Sequence, residues 1–436
     1  MGLKVCKFGG TSVANAVQLR KVQAIVQSDP DRRLVVISAP GKRDDHDQKI
    51  TDLLYLCHKH AQQEIPFDDV FERIEQRFDQ IVRELGLSLD LQPQLAQIKQ
   101  NIASGQTADY AASRGEYLNA QILAALLGYH FVDAAQLMFF DVTGQVDSQR
   151  TYAAIRDRLT EAGHAVVPGF YGTDSEGQIK TFTRGGSDVS GALVAASLQT
   201  KVYENWTDVP GLLMADPRII ENPRKIDRLT YRELRELAYM GATVLHDAAI
   251  FPVRDAGVPV NIRNTNQPNE SGTLIVSELE PVSRTGTITG VAGQTEFTVI
   301  ALEKALMNTQ IGFGRCVLSV LERYGISFEH LPSGIDTMSI VIEDRQLDGK
   351  LDDVLESLRK EVEPDAIEVF PSMALIATVG RGMTHTPGMA STLFGALATA
   401  GINVRMIDQG SSELNIIVGV EADDFQNAVR AIYHAF

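Results

Sequence analysis

From residue 1 to about 276 the chain alternates short β-rich runs with amphipathic stretches, and this alternation narrows the fold more than any other feature of the sequence. The runs KVCKF, RLVVIS, AVVPGF, KVYENW and VPVNIR are dense in β-branched and aromatic residues. Between them, ADYAASRGEYLNAQILAALLG and GGSDVSGALVAASLQ carry Ala and Leu at helical spacing. Strands separated by helices predict an α/β domain, a mostly parallel sheet with helices on both faces. In such open sheets ligands bind at the carboxyl ends of the strands, where loops lead into helices.

The pattern changes between about Thr265 and Phe297, where Asn, Pro, Ser, Gly, Thr and Glu dominate, and a domain boundary is expected there. Beyond it the chain repeats itself. Ile311 to Glu343 can be laid over Pro387 to Glu421 so that Gly312 falls on Gly388, Gly325 on Gly401, Ile326 on Ile402, Gly334 on Gly410 and Ile340 on Ile416. Each repeat reads as a small α+β module of the βαββαβ plan, and two such modules side by side would bury each other's sheet edges. The expected division is a catalytic domain over 1–282 and two small domains over 283–370 and 371–436, the two intertwined.

Composition excludes several classes of function. In 436 residues, 40 Lys and Arg stand against 56 Asp and Glu, a net charge of -16 with no basic run, which argues against nucleic-acid or anionic-membrane partners. Cys6, Cys57 and Cys316 are too scattered for a disulfide framework or a zinc site, so a reducing cytoplasm is expected and no resident metal. The N-terminal residues predict no export signal, and no run reaches the ~18 apolar residues of a membrane span.

The chemistry is carried by loops that enter helices. In KFGGTS, Lys7 ends a strand, and Gly9 and Gly10 clear space for backbone N–H groups to approach an anion beside Thr11 and a helix N-terminus. TRGGSD repeats the arrangement with Arg184, Ser187 and Asp188, whose bland reading is a helix cap. ENWTDVPGLLMADPR places Thr207, Asp208, Asp216 and Arg218 on loops after a strand, and the single tryptophan, Trp206, is expected to report on that end. ASRGEYLNA sets Arg114 and Glu116 in a helical run where a solvated face is the default, and Ser38 and Thr51 sit where capping would explain them. Together these loops suit a substrate bearing phosphates and carboxylates.

The order KFGGTS, SAPG, SRGE, TRGGSD, WTDVPG, ADPR, GATVLH, followed by two small repeats, resembles the aspartokinase family of the amino acid kinase fold over the whole chain, and FEHLPSGID and YRELRELAYMGA resemble its monofunctional, lysine-responsive members. The resemblance implies that the repeats are ACT domains and that Mg²⁺-ATP phosphorylates the β-carboxylate of L-aspartate. It assigns Lys7 and Asp188 to catalysis, with Gly9, Gly10, Thr11, Thr207, Asp208 and Arg218 on the nucleotide. It assigns Ser38, Thr51, Glu116, Phe170, Arg184 and Ser187 to aspartate. A homodimer through the ACT domains, or a tetramer, is implied. Ser333, Gly334 and Asp336 would bind an amino-acid effector, lysine first and threonine second. One departure stands out: GATVLHD has Thr243 where many members carry lysine, with Lys225 or Arg254 as candidate substitutes. Competing readings are another kinase of the same fold and a non-catalytic amino-acid sensor.

Overall fold

A computed structural model describes residues 2–183, 185–242, 247–277 and 288–436, with the backbone alone at 247 and 248. The expected boundary near residue 282 lies outside the described residues. The chain forms two compact units. The first comprises the described residues up to Leu212, Asp227–Tyr231 and 247–277, and the second comprises Leu213–Ile226, 232–242 and 288–436.

The first unit contains β1 (Lys4–Phe8), β2 (Arg32–Ile37), β3 (His130–Phe131), β4 (Ala165–Pro168), a hairpin of β5 (Tyr171–Thr173) and β6 (Ile179–Thr181), β7 (Val202–Thr207), β8 (Arg228–Thr230), β9 (Val260–Asn264) and β10 (Thr273–Val276). Eight of these form one sheet in the order β3-β4-β2-β1-β7-β9-β10-β8. Every pairing in it is parallel except β9 with β10. The expected mostly parallel sheet is present, and β1 and β7 lie at its centre.

Strand alternation gives the two faces of this centre different tasks. Cys6, Phe8 and Trp206 join the core formed by helices Ala16–Gln27, Ile50–Gln62, Asp68–Leu85, Gln92–Ala103 and Ala108–Leu127. Asn15 and Thr107 cap two of these helices, accepting from the Gln18 and Tyr110 amides at 3.0 and 3.1 Å. Lys7 and Asn205 point to the opposite face, toward helix Gly186–Ser197. The small residues of that helix allow close packing: a Cβ on Gly191 would lie 2.6 Å from the Tyr203 hydroxyl.

Under the first face lies a buried ion network. Glu204 is 1% exposed and accepts from Arg32 Nε at 2.8 Å and Trp206 Nε1 at 3.0 Å, with Lys4 Nζ at 3.5 Å and Arg263 at 3.8 Å. Trp206 stacks on Phe8, and the Arg32 and Arg263 guanidiniums lie 5.2 and 4.6 Å from its ring centre. One carboxylate thus ties β1, β2, β7 and β9 together.

In the second unit β11 (Gly290–Glu303), β12 (Thr337–Glu343), β13 (Ala366–Val379), β14 (Met406–Asp408) and β15 (Asn415–Glu421) form an antiparallel sheet in the order β12-β11-β13-β15-β14. The long strands β11 and β13 pair from end to end. One half of this ladder serves the first repeat beside β12, and the other half serves the second beside β15. The matched glycines have a physical cause: Gly312 and Gly388 enter helices at φ 87° and 92°, and Gly325 and Gly401 follow helices at 64° and 72°, conformations that cost other residues energy.

Two segments from earlier in the chain belong to this unit. Met214 O accepts from Val291 N at 2.7 Å, Ile219 O from Arg430 Nε at 3.2 Å, and the Tyr433 hydroxyl from Arg224 N at 2.9 Å. From helix Tyr231–Tyr239, Glu233 accepts from the Thr289 hydroxyl at 2.6 Å and Glu236 from Asn415 at 2.6 Å, and Tyr239 bonds Glu329. Compactness therefore does not follow linear order. No described helix is long and apolar enough to cross a membrane.

Removing the hub of the buried network leaves its cations without their shared anion. Glu204→Ala is expected to lower stability by about 3–5 kcal/mol, read as a lower urea midpoint. A change below ~1 kcal/mol would show that the network is dispensable.

Candidate active site

At the carboxyl end of β1, Lys7 is 8% exposed, and its Nζ lies 2.6 Å from Asp188 Oδ1. Asp188 is the third residue of helix Gly186–Ser197, whose N-cap is Gly185 without a side-chain bond. The capping reading of Asp188 is thereby replaced: its carboxylate turns to the sheet, where Asn205 Nδ2 also donates to Oδ1 at 2.7 Å.

Beside this pair the glycine turn is held from both neighbours. Gly9 N donates to Trp206 O at 3.0 Å, and Gly10 begins a 3₁₀ turn running to Val13 and including Thr11. Gly41 N donates to Gly10 O at 2.9 Å, and a Cβ on Gly41 would lie 2.6 Å from the Gly10 carbonyl carbon, so the loops after β1 and β2 interlock only with glycine there. Ser38 N donates to Phe8 O at 3.2 Å, and Ser38 O accepts from Asn119 at 2.8 Å. Arg77, which sequence reasoning missed, reaches the same loops, donating to Ala14 O at 3.1 Å and pairing with Asp47.

Helix Ala108–Leu127 contributes Glu116, 5% exposed, with no hydrogen-bond partner for Oε2 among the described residues. Burial pushes its carboxyl up to about 8, against the opposing pull of the Ala39 amide and the Arg114 charge. The solvated-face default for this pair is overturned, since Arg114 is also buried, with its guanidinium 4.6–5.1 Å from the ring centres of Tyr110, Tyr117 and Tyr171. Phe170 adopts φ 78°, and its amide donates to the Ser190 hydroxyl at 3.1 Å. A Cβ on Gly169 would lie 2.7 Å from the Ser187 hydroxyl oxygen, so the loop after β4 presses on the helix start. Thr51 is the second residue of helix Ile50–Gln62, whose cap position is Lys49.

The remaining expectations fare differently. Thr207 ends β7, and its hydroxyl donates to Asp208 at 3.2 Å. Arg218 belongs to the second unit, is 89% exposed at its side chain and is chelated by Asp216 at 2.6–3.1 Å. The Trp206 indole is fully buried on the face opposite Lys7, because positions 206 and 205 alternate. Arg184, Thr243 and His246 lie outside the described residues, and Arg254 is engaged by Asp255 at 2.8 Å. In the loop where an effector is expected, Gly334 N donates to Thr337 O at 2.7 Å and the Ser333 hydroxyl to Leu331 O at 3.2 Å, while Asp336 Oδ1 accepts from Leu306 N at 2.8 Å.

Comparison with known proteins bears on this geometry. Residues 2–264 match the amino acid kinase family, and residues 376–436 match an ACT domain. The chain is 38% identical, over its full length and 98% of the relative, to aspartokinase 3 of Bacillus subtilis. It superposes on the crystal structure of Clostridium acetobutylicum aspartate kinase with a TM-score of 0.92 at 54% identity, all of each chain being covered. It superposes on Escherichia coli aspartokinase III in complex with aspartate and ADP with a TM-score of 0.76 at 25% identity, covering 100% of this chain and 99% of that one. The same E. coli enzyme in complex with lysine and aspartate, a T-state, gives 0.72 at 25% identity, with 99% of each chain covered.

The raised Glu116 pKa is open to direct measurement. At pH 7 the infrared difference spectrum of wild type minus Glu116→Gln is expected to show a protonated carboxyl band that disappears with an apparent pKa of about 8. An ionised carboxylate throughout neutral pH would contradict the burial argument.

Proposed function

The chain belongs to the aspartokinases, within the amino acid kinase family, and from that premise we propose how its residues transfer the γ-phosphoryl group of ATP to the β-carboxylate of L-aspartate. The acceptor carboxylate is already ionised at pH 7, given an ordinary pKa of about 3.9, so the reaction needs no general base. It needs two anions aligned and their repulsion offset.

The observation that carries the assignment is the Lys7–Asp188 pair beside the Gly9–Gly10 turn at the end of a central parallel strand. Lys7 offsets charge on the transferring phosphoryl group, Gly9, Gly10 and Thr11 line the phosphates, and Asp188 orients the reacting groups. Thr207 and Asp208 hold the nucleotide. Ser38, Thr51, Phe170, Ser187 and Arg184 hold aspartate, the last through its α-carboxylate. Glu116 receives the ammonium of aspartate, and the arriving cation draws the buried carboxyl into its ionised form. The products are ADP and 4-phospho-L-aspartate.

Mg²⁺ would be held by the nucleotide's phosphates with Asp208 at hand, and would supply further charge neutralisation there. Lysine is the effector the reading favours, bound near Ser333, Gly334 and Asp336. The T-state complex of the E. coli relative with lysine supports that choice. Leu306, Ile311 and Ile335, large apolar residues of the first repeat, are exposed by 69, 102 and 70%, which supports a homodimer through the repeats. The cytoplasm is the compartment this substrate and cofactor set suits.

Trapping of the acyl phosphate by hydroxylamine is expected with aspartate and ATP and not with glutamate. Lys7→Ala should lower kcat at least ~100-fold, on the order of 3 kcal/mol, with the fold retained. Glu116→Gln should raise the KM for aspartate more than that for ATP. In wild type, kcat/KM for aspartate should climb with pH to a plateau through an apparent pKa of about 8, because the carboxyl must lose its proton to receive the ammonium, and the variant should lack that limb. Near-normal turnover of Lys7→Ala, or equal effects of Glu116→Gln on both substrates, would contradict these roles.

A further inference from the structure

We propose that Asn205 is a positioning residue for phosphoryl transfer, holding the Asp188 carboxylate in place while Lys7 turns to the transferring phosphate. The inference rests on the roles assigned above to Lys7 and Asp188. It adds a residue that no motif announces.

In the parallel pairing of β1 with β7, Asn205 lies directly opposite Lys7, so both side chains leave the sheet on the face of helix Gly186–Ser197. Both converge on one atom: Asp188 Oδ1 receives Lys7 Nζ at 2.6 Å and Asn205 Nδ2 at 2.7 Å. Asn205 is 3% exposed, which removes water as a competitor for its amide. Two residues earlier on the same face, the Tyr203 hydroxyl donates to the Asp188 backbone carbonyl at 3.1 Å. Strand β7 therefore grips Asp188 at both its main chain and its side chain.

The chemical type of this second partner matters. A cation at position 205 would compete with Lys7 for the carboxylate and neutralise it. An apolar side chain would leave Asp188 with Lys7 as its one partner on Oδ1, and Lys7 is the group whose charge is needed at the phosphate. An amide donates without adding charge, so Asp188 keeps both its orientation and its negative charge when the lysine moves. Misplacement of a catalytic group by ~1 Å can cost on the order of 100-fold in rate, so a grip of this kind has kinetic weight.

Steady-state kinetics of the full-length enzyme with Mg-ATP and aspartate, for Asn205→Leu, Asn205→Asp and Asp188→Ala, tests the proposal. Asn205→Leu is expected to lose at least ~10-fold in kcat with both KM values within ~3-fold of wild type, a loss confined to the step that orientation governs. Asn205→Asp, nearly isosteric, sets two carboxyl groups against each other. While they share a proton the introduced group still donates to Asp188, and when the proton leaves the two repel. The kcat of this variant relative to wild type should therefore fall as pH rises, a limb that loss of packing alone would not create. Normal kcat in Asn205→Leu, or a pH profile for Asn205→Asp parallel to that of wild type, would overturn the proposal. If Asp188→Ala is impaired while Asn205→Leu is normal, only the role of Asn205 falls. Near-normal Asp188→Ala would remove the underlying assignment and this proposal with it.

Discussion

The catalytic end of the sheet is organised by an ion pair between Lys7 on β1 and Asp188 in the first turn of helix Gly186–Ser197, with Nζ and Oδ1 2.6 Å apart. It fixes which way the first strand presents its lysine and which way the helix start faces. It can form only because each element is held from behind. On the far face, Phe8 and Trp206 stack, and Glu204 gathers Arg32 and the indole N–H, which keeps β1 and β7 in register. On the near face, the Tyr203 hydroxyl reaches the helix past Gly191. A buried charge on each side of one sheet is costly unless paired, and here Glu204 is paired by residues of neighbouring strands and Lys7 by Asp188 of the helix.

The same economy of space governs the loops. Gly10 and Gly41 approach so closely that a side chain on either would meet backbone, and Gly169 and Gly186 play the same part against Ser187 and Phe170. Gly10 of KFGGTS thus lets the next loop close behind its turn.

Much of this was legible in the sequence. Hydrophobic runs located the central strands, and the glycine-paired turns located the strand end that carries Lys7 and the helix start that carries Asp188. The repeat register held because its glycines mark left-handed backbone, as at Gly312 and Gly388. What stayed hidden depended on packing. Asn205 sits in a β run where nothing local distinguishes a polar residue that grips a helix from one that meets solvent. Arg114 and Glu116 read as a solvated stripe because neither the tyrosine rings around Arg114 nor the loop over Glu116 is adjacent in sequence. Trp206 adjoins the predicted nucleotide residues along the chain, yet its face is set by alternation. Arg218 follows Thr207 by only 11 positions but belongs to the unit of the C-terminal repeats, a partition that hydrogen bonds such as Arg430 to Ile219 create and linear order conceals.

The central claim is that Lys7 and Asp188 act as one unit, and a double-mutant cycle in kcat/KM reads that directly. Lys7→Ala, Asp188→Ala and the double variant would be compared with wild type under one set of substrate conditions. If the pair works jointly, the double variant should be within ~3-fold of the worse single variant, a coupling of roughly 2 kcal/mol or more. Losses that simply multiply, leaving no coupling between the two positions, would contradict the account.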